Sequence, residues 1–95
     1  MRRPAVIITN QGANETARRL GHGSVTVVPV TPDVDRVYPF QTRLRAAWTG
    51  LDRDHKAQLE QIRCVDVKRV GERIGVVPVA VMLELNDALR LHLGL

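Results

Sequence analysis

Residues 55–66 read HKAQLEQIRCVD, and this stretch decides the fold because its apolar side changes phase partway along. Ala57 and Leu59 put the apolar side at odd positions, whereas Ile62 and Cys64 put it at even positions. Side chains of a strand alternate between its two faces, so one residue must be absorbed between the two halves. A β-bulge near Glu60 and Gln61 would absorb it and would bend the strand. The stretch therefore predicts a strongly bent strand of a small barrel.

Further short strands are expected on both sides of this stretch. β-branched and alternating patterns bounded by turn residues predict strands over residues 5–9, 25–30, 40–46 and 73–77. Pro29 interrupts one of them, and its missing N–H predicts an edge or a bulge at that point. The polar, glycine-containing residues 10–24 predict a loop with one helical turn over residues 15–20.

The last eighteen residues change to a helical period. Pro78 suits the first position of a helix, and Gly94 suits its end. Between them a stripe of about four turns is formed by Met82, Leu85, Leu89 and His92. Short strands followed by one amphipathic helix predict an α+β fold, in which the helix packs on a strongly bent antiparallel sheet.

Length and charge narrow the functional class. The 95 residues suit one small domain spanning positions 1–95, and the formal net charge is +4 with a pI of about 10.2. A basic domain of this size fits a polyanionic partner, above all nucleic acid. A second interpretation of the basic charge stays open: a GC-rich genome encodes many arginines whatever the partner of the protein. The single Cys64 and the absence of any apolar run of about 18 residues predict a cytoplasmic protein without a membrane span.

Familiar catalytic motifs are missing from the chain. It has no Gly-rich phosphate loop, no Cys/His cluster with metal spacing and no nucleophile elbow. Of the three histidines, His92 fits a helix C-terminus, His55 fits an exposed strand start, and His22 lies in a Gly-flanked loop. The sequence therefore predicts chemistry without a metal or a cofactor.

Arg3 and Thr31 stand out by position. Thr31 ends an apolar strand, where its hydroxyl could emerge at a rim, and Arg3 precedes the neighbouring strand. If these strands pair, the two side chains meet only in some registers, and the residues alone do not fix the register. From the residues alone, a solvated terminal arginine and a turn-starting threonine are the more ordinary interpretations, and both stay open.

Five blocks in order carry a resemblance that covers essentially the whole chain. They read RRPAVIITN, VTVVPVT, YPFQTRL, GLDRDHKAQLEQIRCVD and LNDALRLHLGL. Together they resemble the MazF/PemK family, the toxins of type II toxin–antitoxin systems that cut RNA endonucleolytically. The resemblance implies an SH3-like barrel with a C-terminal helix. It also implies a homodimer with single-stranded RNA in the groove between subunits, a MazE-like antitoxin with an acidic tail, and operator DNA bound only by the toxin–antitoxin complex.

The resemblance also implies roles for particular residues. Arg3 matches the family's catalytic arginine, and Thr31 matches its catalytic threonine. An arginine fork can stabilise charge on a phosphate attacked by the RNA's own 2′-OH, and a threonine hydroxyl can position that phosphate. We expect Gln61 to read a base edge or fix the barrel rim, and Arg2 and Arg36 to bind RNA; Glu60 is expected to be structural.

One departure from the family lies at the N-terminus. Family members carry a first barrel strand and a polar loop before the Arg-Pro step, whereas here that step begins at Arg3. We expect either a misassigned chain start or a truncated homologue. Truncation keeps a second hypothesis open, a catalytically inactive module that binds RNA or antitoxin. A third, a gyrase poison of the same fold, is disfavoured by the Arg3 and Thr31 matches.

Overall fold

The computed structural model describes residues 3–8 and 11–95 and shows a five-stranded antiparallel sheet with a C-terminal helix. The strands are β1 (Ala5–Ile7), β2 (Ser24–Thr31), β3 (Gln41–Leu44), β4 (His55–Gln58) and β5 (Arg63–Asp66). The helices are α1 (Gln11–Leu20), α2 (Ala46–Thr49) and α3 (Val79–Leu93), with 3-10 turns at Leu59–Gln61 and Val67–Arg69. This confirms the predicted α+β class with a C-terminal helix. Closure into an SH3-like barrel stays a prediction.

Strand β2 is the centre of the sheet. Its residues 27–29 pair with β1, while on its other edge residues 24–27 pair with β5 and residues 30–31 pair with β4. β4 pairs in turn with β3, so β4 lies between β2 and β3. The one stretch that decided the fold thus supplies two strands, and both of them pair with β2.

A 3-10 turn stands between β4 and β5, where the sequence predicted a β-bulge. The turn covers Leu59–Gln61, and the N–H of Ile62 closes it onto the carbonyl of Leu59 at 3.2 Å. Leu59 is completely buried, so the turn drives an apolar anchor into the core. The turn changes the phase of the apolar pattern and redirects the chain. A β-bulge, with its single extra residue, would have bent the chain less sharply.

Pro29 lies in the middle of the sheet, and the prediction of an edge position is wrong. The N–H of Val30 donates to the carbonyl of Pro4 at 3.4 Å, so the nitrogen of Pro29 faces the opposite edge of β2. On that edge, within the described residues, pairing with β5 ends at Val27 and pairing with β4 begins at Val30. The missing N–H therefore falls in an interruption of the ladder.

The two faces of β2 are buried in two apolar clusters. Val28 and Val30 face the larger cluster with Leu85 of α3, whereas Val25 and Val27 face a smaller cluster that includes α1. The neighbours Val27 and Val28 point to opposite faces, so β2 is covered on both sides. The larger cluster contains Val6, Leu44, Ala57, Leu59, Val81 and Ala88 as well.

Two local predictions around the sheet are wrong. The helix in the first connection has ten residues, Gln11–Leu20, where one turn was expected. Residues 73–77 form no strand, because Gly75 lies directly against α2: a Cβ on Gly75 would collide with the carbonyl oxygen of Thr49.

Thr9, the last residue of the first predicted strand, lies outside the described residues. In the part of the chain that is described, no helix is both long and apolar enough to cross a bilayer.

Replacing Leu85 by alanine should lower the free energy of unfolding by about 2–5 kcal/mol, because it leaves a cavity between α3 and the sheet. Leu83 lies on the same helix but is 60% exposed, so Leu83→Ala should change the free energy by less than about 0.5 kcal/mol. Urea unfolding followed by circular dichroism measures both. Equal losses in the two variants would contradict the packing described above.

Asp54 ties α2 to the end of β3. Its Oδ1 accepts the N–H of Ala46 at 2.9 Å, and its Oδ2 accepts Nη2 of Arg43 at 3.1 Å. The bond from Ala46, and then the one from Arg43, lower the pKa of this carboxyl below its ordinary 3.8. The ionised form stabilises the fold at any pH above that value, and the stabilisation disappears as the pH falls through the lowered pKa.

Asp54→Asn should therefore be less stable than the parent at neutral pH, and the difference should shrink in acid below the ordinary carboxylate pKa. Thermal unfolding over that pH range measures it. Asp52→Asn is the matched control. Asp52 is exposed and lies 3.6 Å from Arg53, and solvent screens this ion pair so that it contributes little to stability. A difference that grows in acid would show that the sign assigned to Asp54 is wrong.

Candidate functional site

A concave cavity of about 520 Å³ opens where β1 enters the sheet and β2 leaves it. Arg3, Thr31 and Gln61, three of the residues singled out from the sequence, line it together. They come from three separate parts of the chain. The structure therefore brings the two expected catalytic residues and one expected RNA-binding residue into one site.

The register between β1 and β2 places Arg3 beside Thr31. Ala5 is the partner of Pro29 in an antiparallel pair, and the bond from Val30 to Pro4 continues the ladder. Counting two residues further in opposite directions sets Arg3 opposite Thr31. Because side chains alternate along a strand, the side chains of Arg3 and Thr31 lie on the face that carries Pro29, opposite to the face that packs on the larger apolar cluster. The register left open by the sequence is thus the one that joins them.

Thr31 is oriented by the turn that follows β2. Its Oγ1 accepts the backbone N–H of Asp33 at 3.3 Å, which fixes the oxygen at the cavity wall. No acceptor for the hydroxyl proton is found among the described residues, so the proton can be donated to a ligand. The side chain is half-buried, which leaves it accessible from the cavity.

The electrostatic character of the cavity is positive. Arg3 and Arg63 both line it, and neither forms an ion pair with a carboxylate in the described part of the chain. Arg63 also donates to the carbonyl of Gln61 at 3.3 Å and to its Oε1 at 3.5 Å. Guanidinium groups of this kind suit an anionic ligand, because their forks match phosphate oxygens.

Two lining residues were missed in the sequence. Arg63 could have been found, because it follows Gln61 closely in the bent segment. His55 was predicted to be exposed, and this is wrong: it is 5% exposed, because β4 is an inner strand and Leu44 of β3 pairs with it. Its Nδ1 lies 2.9 Å from the carbonyl oxygen of Arg53, and since a carbonyl only accepts, this nitrogen carries a proton.

The remaining predicted residues lie elsewhere. Arg36 is outside the cavity, on the connection from β2 to β3, and its Nη1 donates to the hydroxyl of Tyr38 at 3.3 Å. Glu60 accepts a bond of 2.8 Å from Gln41, which joins the 3-10 turn to β3. Arg2 lies outside the described residues. Within residues 3–8 and 11–95, no group of three or more His, Cys, Asp or Glu side chains is placed to hold a metal ion.

Comparison with known sequences gives consistent matches. Residues 1–93 match the sequence profile of the PemK-like, MazF-like toxins of type II toxin–antitoxin systems. Endoribonuclease MazF9 of Mycobacterium tuberculosis strain H37Rv is 53% identical over 93 residues, which cover 98% of this chain and 79% of that relative. This similarity spans both Arg3 and the closing helix.

Comparison with solved structures gives the same fold. Mycobacterium tuberculosis toxin MazF-mt6 superposes with a TM-score of 0.83 at 24% identity, covering 98% of this chain and 87% of the other. A mycobacterial endoribonuclease in complex with its cognate antitoxin superposes with a TM-score of 0.76 at 25% identity, covering 98% and 82%. The bent sheet and the C-terminal helix described above are thus shared with both.

Proposed function

We propose that this protein is an endoribonuclease toxin, and the premise is its family: the chain belongs to the PemK-like, MazF-like toxins of type II toxin–antitoxin systems. The 53% identical mycobacterial relative is named as an endoribonuclease. The observation that carries the proposal is the meeting of Arg3 and Thr31 in one positive cavity. A cavity lined by two arginines and an available hydroxyl suits a phosphodiester.

The reaction uses the RNA as its own nucleophile. The 2′-OH loses its proton and its oxygen attacks the adjacent phosphorus, which passes through a five-coordinate, more negative state. The bond to the 5′-oxygen then breaks, and that oxygen takes up a proton. The products are a 2′,3′-cyclic phosphate and a 5′-OH. Such a reaction needs charge stabilisation and proton transfer, and it does not require a metal.

Each cavity residue has a defined part in this reaction. The guanidinium of Arg3 stabilises the charge that develops on the phosphate oxygens, and it is a poor base because it hardly ever deprotonates. Thr31 donates its hydroxyl proton to a phosphate oxygen, since its oxygen already accepts from Asp33. Gln61 offers an amide to a base edge beside the cavity. Arg2 and Arg36 are further RNA-binding residues in this proposal.

The partners follow from the same proposal. The protein acts as a homodimer in the cytoplasm, with single-stranded RNA in the groove between subunits and no cofactor. A MazE-like antitoxin covers that groove with an acidic tail, and operator DNA is bound only by the toxin–antitoxin complex. A solved structural neighbour is an endoribonuclease bound to its cognate antitoxin, which supports this partner. That residues 1–95 form a single domain stays a prediction.

The names of the relatives favour cleavage over the two alternatives, an inactive binding module and a gyrase poison. Under cleavage, the purified protein cuts naked RNA in the presence of EDTA. Binding without cleavage would leave the RNA intact, and gyrase poisoning would appear as a loss of DNA supercoiling. One protein preparation tests all three readouts.

Thr31→Ala should lower kcat/KM for RNA cleavage about 100- to 1,000-fold, because it removes one hydrogen bond to the reacting phosphate. Thr31→Ser keeps the hydroxyl and should retain most of the activity. Both are measured in EDTA with a labelled single-stranded RNA, and the ends are identified as 2′,3′-cyclic phosphate by mass spectrometry. A folded parent that leaves RNA intact, or an alanine variant that cuts at the parent's rate, would refute the proposed function.

A further inference from the structure

We propose that Tyr38, stacked on Phe40 beside the cleavage cavity, forms a platform for a nucleobase of the bound RNA. The inference rests on the proposed function, because it takes RNA as the ligand of the same site. It adds a second recognition element, the aromatic platform, defined here as Tyr38 and Phe40. This element binds a base, whereas the cavity binds a phosphate.

The platform is an unusual surface for this chain. Tyr38 and Phe40 stack with ring centroids 5.3 Å apart and planes within 2° of parallel. The sequence contains one Tyr, one Phe and one Trp, so two of its three aromatic side chains are in this pair. Tyr38 is 42% exposed, which leaves ring surface uncovered. An exposed, flat aromatic surface is what single-stranded nucleic-acid sites use to stack bases.

Two positive charges flank the ring of Tyr38. The Cζ of Arg36 lies 5.8 Å from its centroid, and the Nζ of Lys56 lies 6.0 Å from it. Lys56 is only 7% exposed, and its Nζ donates to the carbonyl of Arg36 at 2.6 Å. In the described part of the chain no carboxylate forms an ion pair with either group. A buried ammonium without a counter-charge favours an anion nearby, and a phosphate that adjoins a stacked base supplies one.

The sheet places the platform next to the cavity. Lys56 of β4 is the register partner of Thr31 of β2, so their side chains lie on the same face about 4.5–5.5 Å apart at Cβ. The ring of Tyr38 lies 6.0 Å from Nζ of Lys56. A strand of RNA whose phosphate is held at Thr31 can therefore place a neighbouring base on Tyr38.

The backbone of Tyr38 is held in place by a buried network. Its N–H donates to Oε1 of Gln41 at 3.1 Å, and its carbonyl accepts the N–H of Gln41 at 2.8 Å. Gln41 is 8% exposed, and its Nε2 donates to Glu60 at 2.8 Å. The ring is thus presented by a fixed segment, and a fixed aromatic loses little entropy when a ligand stacks on it. This network also gives Glu60 and Gln41 a positioning role.

An acidic protein segment would also be attracted by Arg36 and Lys56. Two stacked parallel rings, however, suit a flat base better than they suit a carboxylate, because the negative face of an aromatic ring repels a carboxylate. The arrangement of rings and charges therefore favours RNA. Binding of an acidic peptide is kept as an outcome of the test.

The test measures the affinity of a labelled, mixed-sequence single-stranded RNA by fluorescence anisotropy, in the Thr31→Ala background so that the RNA stays intact. Tyr38→Leu should weaken binding about 5- to 100-fold, which corresponds to the loss of one stacked base. Tyr38→Phe should bind like its Tyr38 parent, because it keeps the ring.

Trp48 offers a matched control for the loss of an exposed aromatic. It is 39% exposed and carries its own cation, with Cζ of Arg45 5.6 Å from its ring, but it lies on α2 beyond the opposite end of β3. Trp48→Leu should leave RNA affinity unchanged. Thermal unfolding checks every variant, and if Tyr38→Leu does not fold, Tyr38→Gln is measured in its place.

Two further measurements separate stacking from charge. An RNA strand without bases should bind the Tyr38 parent and the Tyr38→Leu variant equally, because only the base touches the ring. Arg36→Gln should reduce the slope of log affinity against log salt by about 0.7, the value for one phosphate contact on a single strand. Tyr38→Leu should leave that slope unchanged.

Four results would overturn the platform. The first is an unchanged RNA affinity for Tyr38→Leu while Thr31→Ala loses cleavage activity as predicted above, which leaves the proposed function intact. The second is an equal loss for Trp48→Leu. The third is that Tyr38→Leu binds a polyglutamate peptide more weakly than its parent does but binds RNA equally well, which assigns the surface to an acidic protein partner. The fourth is no RNA binding by a folded parent, which refutes the proposed function as well.

Discussion

Strand β2 is paired on both edges and buried on both faces, and the rest of the structure depends on that double constraint. Its valines alternate between two apolar clusters, one against α3 and one against α1. β2 pairs with β1 on one edge and with β4 and β5 on the other, and among the described residues the nitrogen of Pro29 faces the interruption between β5 and β4. A strand whose valines are buried on both faces admits few registers, because any slip would move these valines out of both clusters.

The candidate site is a direct result of that constraint. Thr31 is the last residue of β2, so the register that buries the valines also fixes which residues surround the hydroxyl. On the β1 edge it places Arg3 opposite Thr31, and on the β4 edge it places Lys56 opposite Thr31. Thr31 therefore lines the positive cavity and is also the register partner of Lys56, whose Nζ lies 6.0 Å from the ring of Tyr38. Packing of the core thus positions the residues that line the cavity.

Much of the fold could be predicted because the patterns are local. The C-terminal helix follows from its apolar stripe, and the phase change within residues 55–66 correctly marks a sharp change of direction. The predictions that fail depend on distant neighbours. A 3-10 turn replaces the predicted bulge because Leu59 packs into the larger apolar cluster, against α3. Residues 73–77 pack by their backbone against α2 because Gly75, without a side chain, permits the close approach. Neither neighbour is close in sequence.

By itself the sequence determined the mixed composition of strands and one closing helix, the family, and the identity of Arg3 and Thr31 as the residues to examine. Only the tertiary structure decided that these two stand opposite each other, that His55 and Lys56 are buried, and that Tyr38 and Phe40 stack beside them. The physical reason is that residue type and periodicity are properties of neighbouring residues along the chain. Register, strand order and burial of an inner strand are properties of long-range pairing, which the local pattern does not encode.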